Sequence, residues 1–212
     1  GPGGHQGAPV SNTFEGPDGL ARCGWCAGAP EILPYHDDEW GRPVADDTTL
    51  FEKLSLEAFQ SGLSWRTILN KREGFRAAFD GFDIERVAAV GRKGGGGLRG
   101  DAGSGRDRGK IEAVINIEVR PIELIDAEGS LGAFAWSYEP DPATLPEPQS
   151  TSTSPESTAL SKELKRRGWK FVGPTTVFAF MQAMGVVNDH VTGCAHRAIV
   201  AEEREACTPH GR

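Results

Sequence analysis

The sequence predicts an all-α protein, and two observations support this fold class. Apolar residues recur every three or four positions in several segments, which is the spacing of a buried helix face. No segment shows the alternation of apolar and polar residues that is typical of a half-buried strand. The 212 residues suit one large domain or two small lobes, and they are enough to bury a core.

The first regular helical pattern starts at Asp46 or Asp47, either of which can cap a helix through its side chain. Its apolar positions continue until Gly62, which marks the end of the pattern. A second, short helix opens at Trp65.

The middle of the chain is less regular. The segment from Gly94 to Gly105 contains seven glycines, and each glycine inside a helix costs about 1 kcal/mol relative to alanine. We therefore expect no stable helix there. Helical spacing resumes at Ile111, but Pro121 should interrupt or kink this helix, because proline lacks the N–H group that a helix needs.

Residues 139–158 are rich in Pro, Ser, Thr and Glu and are predicted to form a long loop. Ser157 or Thr158 can cap a helix that runs from Ala159 to about Arg167. The apolar segment from Thr175 to Met184 predicts another helix.

The composition at the two ends suggests the domain boundaries. Residues 1–21 are predicted to be a disordered tail, because they are rich in glycine, proline and small polar residues. The helical domain is expected over residues 22–196, with a helix-hairpin-helix near 162–185. Residues 197–212 are expected to form a C-terminal tail.

The overall composition is that of an ordinary soluble protein, with 38% hydrophobic and 25% charged residues. No apolar run is long enough to span a membrane, and no signal peptide is visible. Four cysteines in a chain of this length do not indicate a disulfide scaffold. The expected location is the reducing cytoplasm.

The net charge of −7 argues, taken alone, against a nucleic-acid-binding protein. Two segments are nevertheless basic. Arg92 to Lys110 holds six basic against two acidic residues, and Lys162 to Lys170 holds five against one. These segments can contact a phosphate backbone, although a solvated surface would also explain each of them.

Cysteine and histidine occur in two groups at opposite ends of the predicted domain. The first group contains Cys23, Cys26 and His36, and the second contains His190 and Cys194. Thiolates and imidazoles are the ligands that zinc prefers, and four of them complete a tetrahedral structural site. The alternatives are buried cysteines with surface histidines, or a redox pair formed by Cys23 and Cys26.

A glycine-bounded turn lies between the last two predicted helices, from Gly168 to Gly173. Lys165 and Arg166 precede it, and Thr175 follows it. Hairpins of this kind present backbone N–H groups and a helix N-terminus to a phosphate. The pattern therefore predicts a helix-hairpin-helix that contacts DNA, with an ordinary turn between helices as the alternative.

Glu57 is flanked by apolar residues within the first predicted helix, where a buried carboxylate is costly unless something compensates it. Aromatic residues that could surround it are Trp25, Tyr35, Trp40 and Trp65. Together they predict a pocket for a flipped nucleobase, with Glu57 as its charged group. On the assumption that this charge is unpaired, its removal should harm folding little. The alternative is an exposed glutamate.

Several motifs occur in the order found in one protein family. They are Arg22-Cys23-Gly24-Trp25, Tyr35-His36-Asp37-Asp38-Glu39-Trp40-Gly41, Leu56-Glu57 to Gly62-Leu63-Ser64-Trp65, Arg108-Gly109-Lys110-Ile111, Phe134-Ala135-Trp136-Ser137, Ser161 to Gly168, Lys170-Phe171-Val172-Gly173 and Asn188-Asp189-His190-Val191. From Arg22 to Cys194 the chain resembles the DNA-3-methyladenine glycosylase I family of the helix-hairpin-helix superfamily.

The resemblance implies a role for each group of residues. The implied zinc ligands are Cys23, His36, His190 and Cys194. The implied base pocket contains Glu57, Tyr35 and Trp65, with Trp25 and Trp40 nearby, and Leu63 is the residue that fills the gap left by the flipped nucleotide. Asn188 stands where related glycosylases place a catalytic aspartate. The implied partner is double-stranded alkylated DNA, and we expect a monomer without an obligate protein partner.

The chain also departs from the pattern of that family. Ile32 replaces a frequent pocket tyrosine, Ser104-Gly105 replaces apolar residues, and Cys26 is a possible rival metal ligand. Two alternatives to a glycosylase are therefore kept: a zinc-stabilised protein that binds DNA or a nucleobase without catalysis, and a thiol redox protein.

Overall fold

The computed structural model describes residues 12–60, 63–92 and 108–207. Within these ranges the chain forms nine α-helices and one two-stranded sheet. The elements are β1 (Thr13–Glu15), β2 (Ala21–Cys23), α1 (Ile32–Asp38), α2 (Asp47–Phe59), α3 (Trp65–Ala78), α4 (Ile84–Arg92), α5 (Arg108–Glu128), α6 (Leu131–Trp136), α7 (Pro155–Arg166), α8 (Pro174–Ala183) and α9 (Ala195–Ala206). The mostly helical class is confirmed.

The N-terminal sheet corrects two expectations. β1 pairs with β2 in antiparallel register, with Thr13 opposite Cys23. Residues 13–21 therefore do not belong to a disordered tail, and the expectation that the chain lacks strands is wrong for this short hairpin. Local alternation cannot reveal a strand of only three residues. Residues 1–11 lie outside the described part.

Helix α2 lies at the centre of the core. Asp46 caps it by accepting a hydrogen bond from the backbone N–H of Thr49 at 2.9 Å, as the sequence predicts. Every residue from Lys53 to Phe59 is buried, because α3, α5, α6 and α8 pack around this helix. The helix can therefore hold a polar side chain such as Glu57 away from bulk water.

The structure describes the second predicted helix but not the glycine-rich segment. α3 opens at Trp65 with Ser64 as its cap, and it extends over 14 residues rather than forming a short helix. Gly62 and the segment from Gly94 to Gly105 lie outside the described residues. The sequence predicts that Pro121 interrupts or kinks this helix. α5 continues through Pro121, so the proline does not interrupt it.

Helix α7 begins earlier than the sequence suggests. Ser154, rather than Ser157 or Thr158, caps the helix, and the side chains and backbone N–H groups of Ser154 and Ser157 form a reciprocal capping box. Pro155 occupies the first helical position, where its missing N–H costs nothing. The turn after α7 leads directly into α8, and the two helices pack together.

The C-terminal boundary also extends beyond the expected position. α9 continues to Ala206, and Val200 on this helix is fully buried. Arg42 forms an ion pair with Glu203, and Arg204 donates a hydrogen bond to the carbonyl of Gly185. The expectation of a tail from residue 197 is therefore wrong up to residue 206. Across the described ranges, no helix combines the length and the apolar character required to cross a bilayer.

Candidate active site and metal-binding cluster

Four aromatic side chains and one carboxylate surround a cavity of about 290 Å³. All five residues that the sequence places in a base pocket line it: Trp25, Tyr35, Trp40, Glu57 and Trp65. Trp25 and Trp40 contact each other edge to face, with 5.0 Å between ring centroids. Tyr35 and Trp65 lie 5.5 Å apart at an interplanar angle of 43°. The cavity thus offers flat apolar surfaces around one ionisable group.

Three local features place these side chains. The 3-10 turn Gly24–Gly28 carries Trp25, and α1 carries Tyr35 on its buried face. Trp65 is the first residue of α3, directly after the cap Ser64. Leu63 precedes this cap and is half-buried, but it is not part of the cavity wall.

Glu57 is buried, and this burial raises the pKa of its carboxyl group above the ordinary value. The carboxylate is not unpaired, however. Oε1 of Glu57 lies 3.8 Å from Nζ of Lys53, which sits one turn earlier on α2 and is equally buried. The assumption of an unpaired charge is therefore wrong. Removal of this charge would leave Lys53 buried without its partner, so we now expect it to destabilise the fold.

Four polar residues in the cavity wall were missed by sequence reasoning: Gln60, Gln149, Thr151 and Gln182. The side chain of Asp189 positions two of them. Gln182 donates a hydrogen bond from Nε2 to Oδ2 of Asp189 at 2.6 Å, and the backbone N–H of Gln149 donates to Oδ1 at 3.1 Å. Gln149 lies in the long loop that precedes α7, so local sequence carries no signal that this residue reaches the cavity.

Cys23, His36, His190 and Cys194 converge in a buried cluster, here called the Cys/His cluster. One potential ligand atom from each residue lies within 4.8 Å of the others. Sγ of Cys23 lies 3.5 Å from Nδ1 of His190, and Sγ of Cys194 lies 3.6 Å from both Nε2 of His36 and Nδ1 of His190. The structure therefore brings together the four residues that the sequence predicts as ligands.

The two cysteines of the cluster interact directly. Their interaction lowers the pKa of the Cys194 thiol and raises the pKa of the Cys23 thiol. Cys26 is buried but does not belong to the cluster, and burial raises the pKa of its thiol to about 12. Such a thiol is a poor nucleophile, which argues against the redox alternative.

Both histidines of the cluster use their second ring nitrogen in another hydrogen bond. Nδ1 of His36 lies 2.7 Å from Oδ1 of Asp37, and Nε2 of His190 lies 3.1 Å from the carbonyl oxygen of Trp40. Since both partners are acceptors, each of these nitrogens carries the proton. The nitrogens that face the cysteines, Nε2 of His36 and Nδ1 of His190, are therefore unprotonated when the rings are neutral.

The predicted DNA-contacting residues lie on α7, the turn after it, and α8. Lys165 and Arg166 are exposed in the last turn of α7, Gly173 caps α8, and Thr175 is exposed in the first turn of α8. Arg166 is not fully available, because it forms an ion pair with Glu163.

Asn188 lies outside the aromatic cavity. Its side-chain amide donates a hydrogen bond to the carbonyl of Arg197, and it lines a separate cavity between the long loop and α8. Among the residues that the structure describes, Glu57 is the carboxylate that lines the aromatic cavity.

Comparisons with known proteins identify the family to which this chain is similar. A family model described as methyladenine glycosylase matches residues 25–198. DNA-3-methyladenine glycosylase 1 of Escherichia coli (strain K12) is 44% identical over 179 residues, which cover 82% of this chain and 96% of the relative.

Solved structures that are similar to this chain bear the same family name. A crystal structure of 3-methyladenine DNA glycosylase I has a TM-score of 0.71 at 40% identity, and the match covers 82% of this chain and 98% of that one. A structure of 3-methyladenine DNA glycosylase I from Staphylococcus aureus, described as showing the basis of 3-methyladenine recognition, has a TM-score of 0.69 at 35% identity. That match covers 80% of this chain and 93% of that one.

Proposed function

Because the chain belongs to the methyladenine glycosylase family, we propose that it excises 3-methyladenine from alkylated DNA by hydrolysing the N-glycosidic bond of a flipped base. The observation that carries this proposal is the buried carboxylate of Glu57 in a cavity walled by Trp25, Tyr35, Trp40 and Trp65. A cavity of about 290 Å³ lies near the lower end of the range for small-ligand sites, which suits a single base.

The chemistry of the substrate explains why one carboxylate is enough. The 3-methyladenine base carries a positive charge in DNA, so its glycosidic bond is already weakened, and the base leaves as a neutral molecule. Glu57 accepts hydrogen bonds from the adenine edge and favours the charged base electrostatically. Tyr35 and Trp65 stack on the flipped ring. Unmodified adenine lacks the charge and gains less from Glu57.

The two glutamines held by Asp189 add directional hydrogen bonds at the cavity wall. An amide offers both a donor and an acceptor, which matches the mixed edge of a purine. Because Asp189 fixes Gln182 through a 2.6 Å hydrogen bond, this amide is oriented before the base arrives. Leu63, on the segment between α2 and α3, fills the gap that the flipped nucleotide leaves in the duplex.

The Cys/His cluster is proposed to hold one structural zinc ion. A tetrahedral site with Zn–S of about 2.3 Å and Zn–N of about 2.0–2.1 Å separates a sulfur from a nitrogen by roughly 3.5–3.6 Å. Three of the four sulfur–nitrogen distances in the cluster are 3.5, 3.6 and 3.6 Å. Both histidines also donate their outer N–H to an acceptor, as zinc-bound histidines do. The residues present therefore fit this ion, whose contribution is a structural cross-link.

The DNA contact is proposed to involve the α7–α8 hairpin, as a helix-hairpin-helix. A Cβ added at Gly173 would meet no atom within 4 Å, and φ at this residue is −64°, which any residue can adopt. The fold itself therefore does not require glycine at this position. A phosphate that approaches the backbone N–H groups at the start of α8 does require it. Lys165, Arg166 and Thr175 flank this point.

The function is tested by single-turnover release of 3-methyladenine from a methylated duplex, with Glu57→Gln as the variant. Charge-assisted hydrogen bonds contribute about 1.5–3 kcal/mol, so Glu57→Gln should lose roughly ten- to a hundredfold in excision rate. The melting temperature should also fall, because Lys53 loses its partner. The control is Glu85→Gln on α4, an exposed glutamate, which should excise at the wild-type rate. Binding of methylated DNA without release of the base would instead support the non-catalytic alternative.

A further inference from the structure

Lys53 is a buried lysine behind the wall of the base cavity. Its ammonium group contacts the hydroxyl of Tyr35 and lies 3.7 Å from the centre of the Trp65 ring. The same group lies 3.8 Å from Oε1 of Glu57. Lys53 lines a separate cavity of about 160 Å³ on the other side of these residues, so it is not part of the wall that faces the base.

The charges around Lys53 show which carboxylate compensates it. Two further acidic residues act on the ammonium: Glu39, which comes after α1, and Glu52 on α2. Each of them forms an ion pair elsewhere, Glu39 with Arg72 and Glu52 with Arg76. Glu57 is therefore the partner of Lys53, and Arg72 on α3 is the cation that opposes it.

We propose that Lys53 is the positioning residue of the base cavity: it holds Glu57 as a carboxylate and orients the side chains of Tyr35 and Trp65. This inference rests on the proposed function. A carboxyl group buried among aromatic rings would tend to take up a proton, and a protonated Glu57 could not attract a cationic base. The ammonium group at 3.8 Å favours the charged form and opposes the effect of burial.

The three contacts of Lys53 also explain why a lysine occupies this buried position. One ammonium group touches the aromatic ring, the phenol and the carboxylate that are expected to contact the base. A lysine at this place fixes all three at once, which a hydrophobic residue of similar length could not do. The cost is the burial of an ammonium group, which lowers the pKa of Lys53 to about 8 although Glu57 acts in the opposite direction.

The test compares the pH dependence of Lys53→Met with that of the wild type. Since an opposite charge at this distance shifts a carboxyl pKa by roughly 1–3 units, removal of the ammonium should raise the pKa of Glu57 by about that amount. The acidic limb of the single-turnover excision profile should therefore move to higher pH by one unit or more. Lys53→Arg keeps the charge and should stay near the wild-type profile. Lys71→Met removes an exposed lysine from α3 and should leave the profile unchanged.

A carbon NMR titration of the Glu57 carboxyl gives the same answer without any activity. The titration midpoint should rise in Lys53→Met, and an unmoved midpoint would overturn the inference. If the midpoint rises but the wild type releases no 3-methyladenine, the proposed function fails while the charge coupling stands. If Lys53→Met does not fold, the same NMR titration of the wild-type protein tests the inference. Its Glu57 carboxyl signal should show a second step as Lys53 loses its proton near pH 8, and a flat signal there would overturn the inference.

A double variant separates positioning from a purely structural role. If Lys53 acts mainly through Glu57, then Lys53→Met should cost clearly less in excision rate when Glu57→Gln is already present than in the wild type, and the remaining loss reports its contacts with Tyr35 and Trp65. A loss in that background as large as in the wild type would show that Lys53 only supports the fold.

Discussion

At the scale of single residues, Asp37 determines which nitrogen of His36 faces the Cys/His cluster. Burial raises the pKa of Asp37, but hydrogen bonds from Arg22 and His36 lower it by more, so the group is a carboxylate at neutral pH. Arg22 holds this carboxylate at 3.0 Å, and Asp18 in turn holds Arg22. A hydrogen bond from Nδ1 of His36 to this fixed acceptor leaves Nε2 directed at Cys194.

Replacement of Asp37 by asparagine should therefore weaken metal binding. The outer hydrogen-bond partners of metal-binding histidines typically contribute ten- to a hundredfold in affinity, and we expect a loss of that size for zinc in Asp37→Asn. Competition with a chromophoric chelator measures this. Asp38→Asn, at the exposed neighbouring position, is the matched control and should bind zinc as the wild type does. Equal affinities in all three proteins would show that Asp37 serves only its ion pair with Arg22.

The residues of the base cavity were predictable to different degrees. Glu57 and the four aromatic residues stand in motifs that are specific to the family, so their positions in the sequence identify them. Lys53 stands four residues before Glu57, a spacing that usually marks an exposed ion pair on a helix surface. Its burial depends on the helices that pack around α2, and these contacts are not visible in local sequence.

At the scale of elements, the α7–α8 hairpin allows the fold and the DNA contact to be tested separately. Gly173→Ala adds a Cβ into open space at a backbone conformation that alanine adopts, so the free energy of unfolding should fall little or should rise by up to about 1 kcal/mol. DNA affinity should decrease, because the Cβ occupies the path of an approaching phosphate. Thermal melts and duplex binding by fluorescence anisotropy measure the two effects.

Lys165→Ala serves as the comparison for this variant. It removes one positive charge, so the slope of log affinity against log salt should become shallower by about 0.9 for one lost phosphate contact. Gly173→Ala removes no charge and should weaken binding with less change in slope. Wild-type affinity in Gly173→Ala would place the DNA on another surface of the protein.

The boundaries of elements were harder to predict than their existence. The segment from Thr175 to Met184 was predicted from its apolar pattern, and α8 spans nearly the same residues. The start of α7 was misplaced, because Ser154, Ser157 and Thr158 are all capping residues and only the folded backbone selects one. The strand β1 was missed because its three residues are stabilised by pairing with β2 rather than by their own pattern.

At the scale of the whole molecule, the Cys/His cluster connects residues that are far apart in sequence. Cys23 and His190 are separated by 167 positions, and His36 and Cys194 by 158. Of the two residues of the cluster that come late in the chain, His190 lies between α8 and α9, and Cys194 caps α9. The sequence indicated this connection through the chemistry of the four side chains, although their spacing matches no standard zinc finger.

Removal of zinc should therefore lower the stability of the entire domain. A ligand that binds only the folded state adds RT ln(1 + [L]/Kd), which is about 4 kcal/mol at a thousandfold excess over Kd. Calorimetry before and after chelation should show a lower melting temperature for the metal-free protein, and Cys194→Ser should behave in the same way. Cys207→Ser, at a half-buried cysteine outside the cluster, should melt as the wild type does. An unchanged melting temperature after complete metal removal would contradict a structural role for the ion.

The Cys/His cluster has a mechanical consequence as well. When the Cys/His cluster holds the proposed zinc ion, Cys23 and Cys194 are joined through it near the two ends of the described chain, and α1 to α8 lie within a closed ring. A pulling force applied at the two termini would reach this closure first. The helices inside the ring, with the base cavity among them, would bear no tension until the closure ruptured. In an optical trap the molecule would then extend in two steps, a short one as the terminal segments straighten and a long one after the ring opens.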